Sequence, residues 1–71
     1  MYYNYVTIRL NGEPLNCLST MSLKDILKYL DFQLDLVIVE YNSQIVQLND
    51  LDHIPLNSGD IVEVLTIVGG G

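Results

Sequence analysis

The sequence closes on Val68-Gly69-Gly70-Gly71, and the group best suited to chemistry is the free carboxylate that Gly71 would carry. Glycine has no Cβ, so three in succession can lie in a channel too narrow for any other residue and take whatever φ the channel demands. Fully extended, they reach roughly 10 Å beyond a folded body. Such a tail would let a carboxylate enter a partner's active site while the globule docks outside. The alternative is a frayed end, a common condition of chain termini.

Two other places invite a chemical reading. Cys17 is the single cysteine, so no disulfide closes within the chain and a four-cysteine zinc cage is excluded. This fits a reducing compartment. A catalytic thiol needs an activating base or a positive pocket, and neither stands near Cys17, which predicts a small buried core residue instead. His53 lies close to Asp50 and Asp52, but one histidine and two carboxylates lack the ligand count of a tight zinc site. That stretch reads as a solvated loop.

Composition narrows the partners. Nine acidic and three basic residues among 71 give a net charge of −6, which repels phosphate backbones and anionic lipid surfaces. The five tyrosines, Tyr2, Tyr3, Tyr5, Tyr29 and Tyr41, are scattered rather than set as a stacking platform. Neither nucleic acid nor membrane is an expected partner. A basic groove on another protein would be attracted, and the attraction speeds encounter more than it tightens the complex. The start, Met1-Tyr2-Tyr3-Asn4, lacks a basic region followed by a cleavage site, and no apolar run approaches a membrane span. The chain reads as soluble and unsecreted. At this length it forms one domain, burying only about 60% of the surface its unfolded chain exposes.

The elements that must position the tail follow from periodicity. Tyr3 to Leu10 alternates, with Val6, Ile8 and Leu10 on one side, as a half-buried strand does. Asn11-Gly12 is the dipeptide best suited to a tight hairpin turn, so a second strand at about Leu15 to Ser19 pairs back antiparallel. Ser22 is placed to cap a helix whose Leu23, Ile26, Leu27 and Leu30 make one apolar face. Asp25 stands in for the usual Glu or Gln of a capping box, Met21 is placed to staple onto Ile26, and Lys24 and Lys28 take the wet side. Leu36 to Val39 is apolar on both faces, predicting a strand at least partly covered on both sides. Asn42-Ser43 turns the chain into a short strand, Gln44 to Val46. Leu48 to Asn57 is an irregular crossing with room for one helical turn. Asn57 to Asp60 is another turn, and Ile61 to Val68 is the longest β-prone run.

This order predicts an α+β protein in which a mixed sheet of four to five strands folds across one main helix. That is the β-grasp arrangement of ubiquitin-like proteins. It would span residues 1–68, leaving 69–71 as a flexible glycine tail.

Over essentially its whole length the chain resembles the ThiS family, the sulfur-carrier proteins of thiamin biosynthesis. The matching segments are Leu10-Asn11-Gly12-Glu13, Leu23-Lys24-Asp25-Ile26-Leu27, Val39 to Val46, Gly59-Asp60-Ile61-Val62-Glu63-Val64, and the ending Val68-Gly69-Gly70-Gly71. It departs from the family where Asn42-Ser43 replaces an Asn-Gly turn and where Gln47-Leu48-Asn49-Asp50 follows the short strand.

The resemblance implies a carrier that catalyses nothing and binds no cofactor of its own. A ThiF-type adenylating enzyme would use MgATP to turn the Gly71 carboxylate into an acyl adenylate. Sulfur derived from a cysteine-desulfurase persulfide would then leave Gly71 as a thiocarboxylate, to be spent by a ThiG-type thiazole synthase. Gly69 and Gly70 would enter the partner's active site. Leu65 and Ile67, with Glu63, would supply the docking surface; alternatively, one or both apolar side chains pack under a loop, and Glu63 and Asp60 are solvated charges. A molybdopterin-type sulfur carrier would share the fold and the glycine end, but that family tends to carry a proline-containing segment where this chain has Thr66-Ile67-Val68. A ubiquitin-like modifier forming isopeptide bonds, and a plain interaction module with an idle tail, are the remaining readings. Residue usage suggests a bacterial cytoplasm or a plastid stroma.

Overall fold

The computed structural model describes residues 4–67. Five strands, β1 (Tyr5–Leu10), β2 (Glu13–Leu18), β3 (Val37–Tyr41), β4 (Gln44–Val46) and β5 (Ile61–Thr66), form one mixed sheet in the order β2-β1-β5-β3-β4. All neighbours are antiparallel except β1 and β5, which run parallel at the centre. One α-helix, α1 (Leu23–Tyr29), covers one face, and short 3-10 turns occupy Leu34–Leu36 and Leu48–His53. This is the β-grasp architecture.

Local chemistry accounts for most of these elements. The β1–β2 hairpin closes through Asn11 and Gly12 at φ 50° and 84°, and the β3–β4 hairpin through Asn42 and Ser43 at φ 50° and 72°. Two consecutive positive φ values make the turn whose twist matches that of the flanking strands. At the start of α1, Ser22 Oγ accepts from Asp25 N at 3.2 Å while Asp25 Oδ2 accepts from Ser22 N at 3.0 Å, a complete capping box. At its end, Phe32 N donates to Leu27 O and Asp31 N to Lys28 O, with Asp31 at φ 66°. These are the two bonds of a Schellman stop. Among the exposed or partly exposed lysines, Lys24 pairs with Asp52 of the 3-10 turn at 3.3 Å.

The core lies between α1 and the inner face of the sheet. Ile8 from β1, Cys17 from β2, Val39 from β3, and Val62 and Val64 from β5 meet Leu23, Ile26 and Leu27 of the helix, and Leu51 and Leu56 close the side. Burial at alternate positions of β1 and β5 is what a sheet with one covered face requires.

The expectation that Leu36 to Val39 would be covered on both sides is corrected. Leu36 belongs to a 3-10 turn, and Ile38 is 39% exposed, because the second face of the sheet carries no layer among the described residues. The last strand, expected to run to Val68, pairs only as far as Thr66.

Candidate functional site

Every functional expectation converges on the end of β5, so the first question is what holds this strand. On one edge β1 pairs with it only through Arg9–Ile61 and Leu10–Val62. The hairpin turn continues the ladder: Asn11 N donates to Val62 O at 2.9 Å, Asn11 Nδ2 donates to Val64 O at 3.3 Å, and Asn11 Oδ1 accepts from Val64 N at 2.7 Å. A side-chain amide has the same donor and acceptor as a peptide group, so Asn11 supplies the next residue of a strand that has already turned away.

On the other edge β3 pairs from Tyr41–Val62 to Val37–Thr66. Asn42 extends that ladder in the opposite direction. Its N–H donates to Ile61 O at 2.8 Å and its Oδ1 accepts from Ile61 N at 2.8 Å. Beyond Thr66, Ile67 N donates to Leu36 O at 2.6 Å. The β1 edge of β5 is thus held as far as Val64, and the β3 edge as far as Ile67 at the root of the tail.

The start of β5 is anchored by Asp60, which is only 7% exposed. Its carboxylate accepts from the Tyr41 hydroxyl at 2.6 Å, from Asn57 N at 2.8 Å and from Asn42 Nδ2 at 3.2 Å. Burial by itself would raise its pKa, but the bonds from Tyr41, Asn57 and Asn42 favour the charged form and leave the net value below the ordinary one. Tyr41 moves up, through burial first and then through its bond to and proximity of the Asp60 charge. Asp60, expected as a solvated charge or a partner contact, is therefore a structural anchor. Only the three donors, from the end of β3, the β3–β4 turn and the turn before β5, make burial tolerable.

The expected docking residues are exposed. Leu65 is 55% and Ile67 is 47% accessible, and Glu63 lies on the same outward face. Neither apolar side chain packs under a loop. The strand register adds neighbours that sequence reading did not single out: Ile38 opposite Leu65, Glu40 opposite Glu63, and Ile45, 71% exposed, opposite Glu40. Gly69, Gly70 and Gly71 lie outside the described residues.

The other candidates separate from this site. Cys17 is buried in the core, its Sγ 3.8 Å from Leu15 O, and desolvation raises its pKa. A thiol held protonated and covered is a poor nucleophile. His53 is exposed on its 3-10 turn, and among the described residues no group of three His, Cys, Asp or Glu could hold a metal. Surface hollows of about 320 Å³, beside His53, and about 260 Å³, beside Cys17, are lined by no residue of β3 or β5. No helix among the described residues is long and apolar enough to cross a membrane.

A mixed sheet over one helix, its central strand held on both edges and leading out at the rim beside an exposed apolar face, defines a small ubiquitin-like β-grasp protein. Residues 8–71 match the model of the ThiS family. The ycf40 protein of Pyropia yezoensis is 42% identical over 71 residues, covering all of both chains, and that of Porphyra purpurea is 41% identical over 66 residues, 93% of each chain. The crystal structure of the thiamine biosynthesis protein ThiS from Geobacter metallireducens superposes with a TM-score of 0.78 at 28% identity, covering 93% of this chain and 100% of that one. The chain belongs to the ThiS family, small proteins of the sulfur-carrier type.

Proposed function

We propose that this protein carries sulfur as a thiocarboxylate on Gly71 for assembly of the thiazole ring of thiamin. The observation that carries this reading is the reach of the family match, which runs through residue 71 and so takes in the three glycines after β5. A carboxylate is a weak electrophile because oxide is a very poor leaving group. A ThiF-type enzyme overcomes this by attaching AMP from MgATP, with release of pyrophosphate. The outer sulfur of a cysteine persulfide then displaces AMP to give an acyl disulfide, a thiol reductant cleaves that S–S bond to leave the thiocarboxylate, and a ThiG-type thiazole synthase receives the sulfur.

In this scheme the chain contributes position rather than catalysis. With Ile67 fixed to Leu36, residues 68–71 span at most about 14 Å, so the partner's catalytic cleft opens within that distance of the sheet rim. Glycine at 69–71 lets the chain pass where side chains would block it. Leu65, Ile67 and Glu63 form the adjoining contact surface. Relatives in Porphyra purpurea, Pyropia yezoensis and Trieres chinensis support a plastid setting, as two are red algal and one is from a diatom.

The test is reconstitution with a ThiF-type enzyme, MgATP, a persulfide donor and a thiol reductant, followed by fragment mass spectrometry. Replacement of one oxygen by sulfur at Gly71 is the expected result. Fragment assignment is essential because oxidation of Met1, Met21 or Cys17 adds nearly the same mass. ATP-dependent conjugates to lysines of other proteins, in place of the thiocarboxylate, would overturn it in favour of a protein modifier.

A further inference from the structure

The chain has six asparagines, and only Asn11 is followed by glycine. An asparagine amide is open to attack by the main-chain nitrogen of the next residue, and a Cβ on that residue crowds the approach. Gly12 has none. Asn11 and Gly12 are both exposed, and nothing lies within 4 Å of the place a Gly12 Cβ would occupy. A five-membered ring therefore has room to close, and water has room to reach it. Gly12 N donates no hydrogen bond among the described residues, so its proton is free to leave. The other asparagines precede Tyr5, Cys17, Ser43, Asp50 and Ser58, all of which carry a Cβ.

One restraint opposes the reaction. On the β1 side of β5, both main-chain groups of Val64 end on the Asn11 amide: Oδ1 accepts from Val64 N at 2.7 Å, and Nδ2 donates to Val64 O at 3.3 Å. While both bonds hold, the amide is not free to turn onto Gly12 N. The contacts that complete the ladder of β5 thus also protect the most labile amide of the chain.

We propose that Asn11-Gly12 is an intrinsic deamidation site, gated by opening of the Asn11–Val64 contacts, whose product releases the β1 edge of β5 beyond Val62. Gly12 N gives its proton to hydroxide and bonds to Asn11 Cγ. The Cγ–Nδ2 bond breaks, and Nδ2 takes a proton from water and leaves as ammonia, giving a succinimide. Water then opens one of the two imide C–N bonds, with no change of oxidation state. Opening at Cγ leaves aspartate, which keeps an acceptor for Val64 N but sets a carboxylate oxygen against Val64 O. Opening at the main-chain carbonyl leaves isoaspartate, which adds a carbon to the hairpin backbone and displaces both contacts. The inference is independent of the sulfur-carrier reading.

The test is timed peptide mapping of the full chain in mildly alkaline buffer, folded and in urea, with fragmentation that separates isoaspartate from aspartate. Position 11 should convert before any other asparagine, and about tenfold or more faster in urea, because two hydrogen bonds no longer hold the amide. In the converted protein the Val64 N–H should exchange with solvent about tenfold or more faster by NMR, and the melting temperature should fall by several degrees. Asn11→Gly, which has no amide to lose, should release no ammonia from this position and should show the fast Val64 exchange from the outset. Earlier conversion of another asparagine, equal rates in the folded and urea-unfolded chain, or parental Val64 exchange in either the converted protein or Asn11→Gly would each overturn the proposal.

Discussion

Asn11 and Asn42 occupy the same position in two different hairpin turns, both at φ 50°, and each extends its side-chain amide to β5 from opposite edges. Asn11 reaches Val64, and Asn42 reaches Ile61 and the Asp60 carboxylate. The residue type that tolerates the turn also completes the ladder of the strand that leads to the tail. Replacing either by glycine separates these two roles, because glycine keeps the positive φ and loses the amide. Asn11→Gly should cost about 1–3 kcal/mol, two bonds at roughly 0.5–1.5 kcal/mol each. Asn42→Gly should cost at least as much, since Asp60 loses a donor. Urea unfolding followed by circular dichroism checks both, with the midpoint falling and the slope unchanged.

Ser43 pays a strain that Gly12 does not. Both are second residues of their turns, at φ 72° and 84°, where an L side chain crowds its own backbone at a cost of roughly 1–2 kcal/mol. Ser43 is exposed and its side chain has no hydrogen bond among the described residues. Ser43→Gly should therefore stabilise the protein by about 0.5–1 kcal/mol, after the added flexibility of unfolded glycine is set against the strain. In a domain this small that is a rise in melting temperature of about 2–8 °C, measurable by calorimetry.

Asp60 should govern part of the acid response. Its folded pKa lies below the ordinary carboxylate value, so between the two values the unfolded chain binds the extra proton and stability rises with pH. The contribution is fully present above the unfolded value of about 3.9 and disappears as pH falls through the folded one. Asp60→Asn should be less stable than the parent at pH 7 by about 1.5–3 kcal/mol, the range for hydrogen bonds to a charged group. The gap should hold at pH 6 and narrow below pH 4. Tyr41 acts in the other direction: its raised pKa makes its contribution present at neutral pH and lost as pH climbs past about 10.

Local signals were readable in advance where the partner groups are near in the chain. Ser22 and Asp25 are three residues apart, so the capping box followed from spacing; Asn11-Gly12 and Asn42-Ser43 followed from the turn residues they contain. The Asn11–Val64 bonds span 53 positions, and nothing in the turn itself points to β5. Asp60 misled for a related reason. A carboxylate after Asn-Ser-Gly looks solvated, and only folding brings Tyr41 and Asn42 to it. Ile38 misled because an apolar residue on each face of a strand has two physical causes, a covering layer within the protein or an apolar side chain left on the surface. Sequence pattern alone does not separate them, whereas the pairing of Ile38 with exposed Leu65 does.

Val64 and Leu65 are adjacent but should respond to truncation in opposite ways. Val64 is 6% exposed against the helix side, so Val64→Ala should lower stability by about 1–2.5 kcal/mol through lost burial and a small cavity. Its folded fraction should still be adenylated normally. Leu65 faces outward, so Leu65→Ser should change stability by no more than about 0.5 kcal/mol while raising KM for the adenylating enzyme about tenfold, as loss of an apolar interface anchor does. Paired melting curves and pyrophosphate-exchange kinetics read both effects.

The tail should obey a steric rule independent of the fold. Gly70→Val adds a branched side chain three residues past Ile67, the last residue the structure describes, and outside the sheet pairing described for β5. It should leave the melting temperature within about 1 °C, since it removes no described contact. In a channel shaped for glycine it should reduce adenylation at least a hundredfold, because a β-branched residue both widens the chain and restricts its backbone. Gly70→Ala should fall between the two, and adding ATP in excess should restore neither, since the obstruction lies on the protein's side of the reaction. Single-turnover measurement of AMP attached to Gly71 provides the check: equal rates for glycine, alanine and valine at position 70 would mean that the end of this chain never enters a confined site.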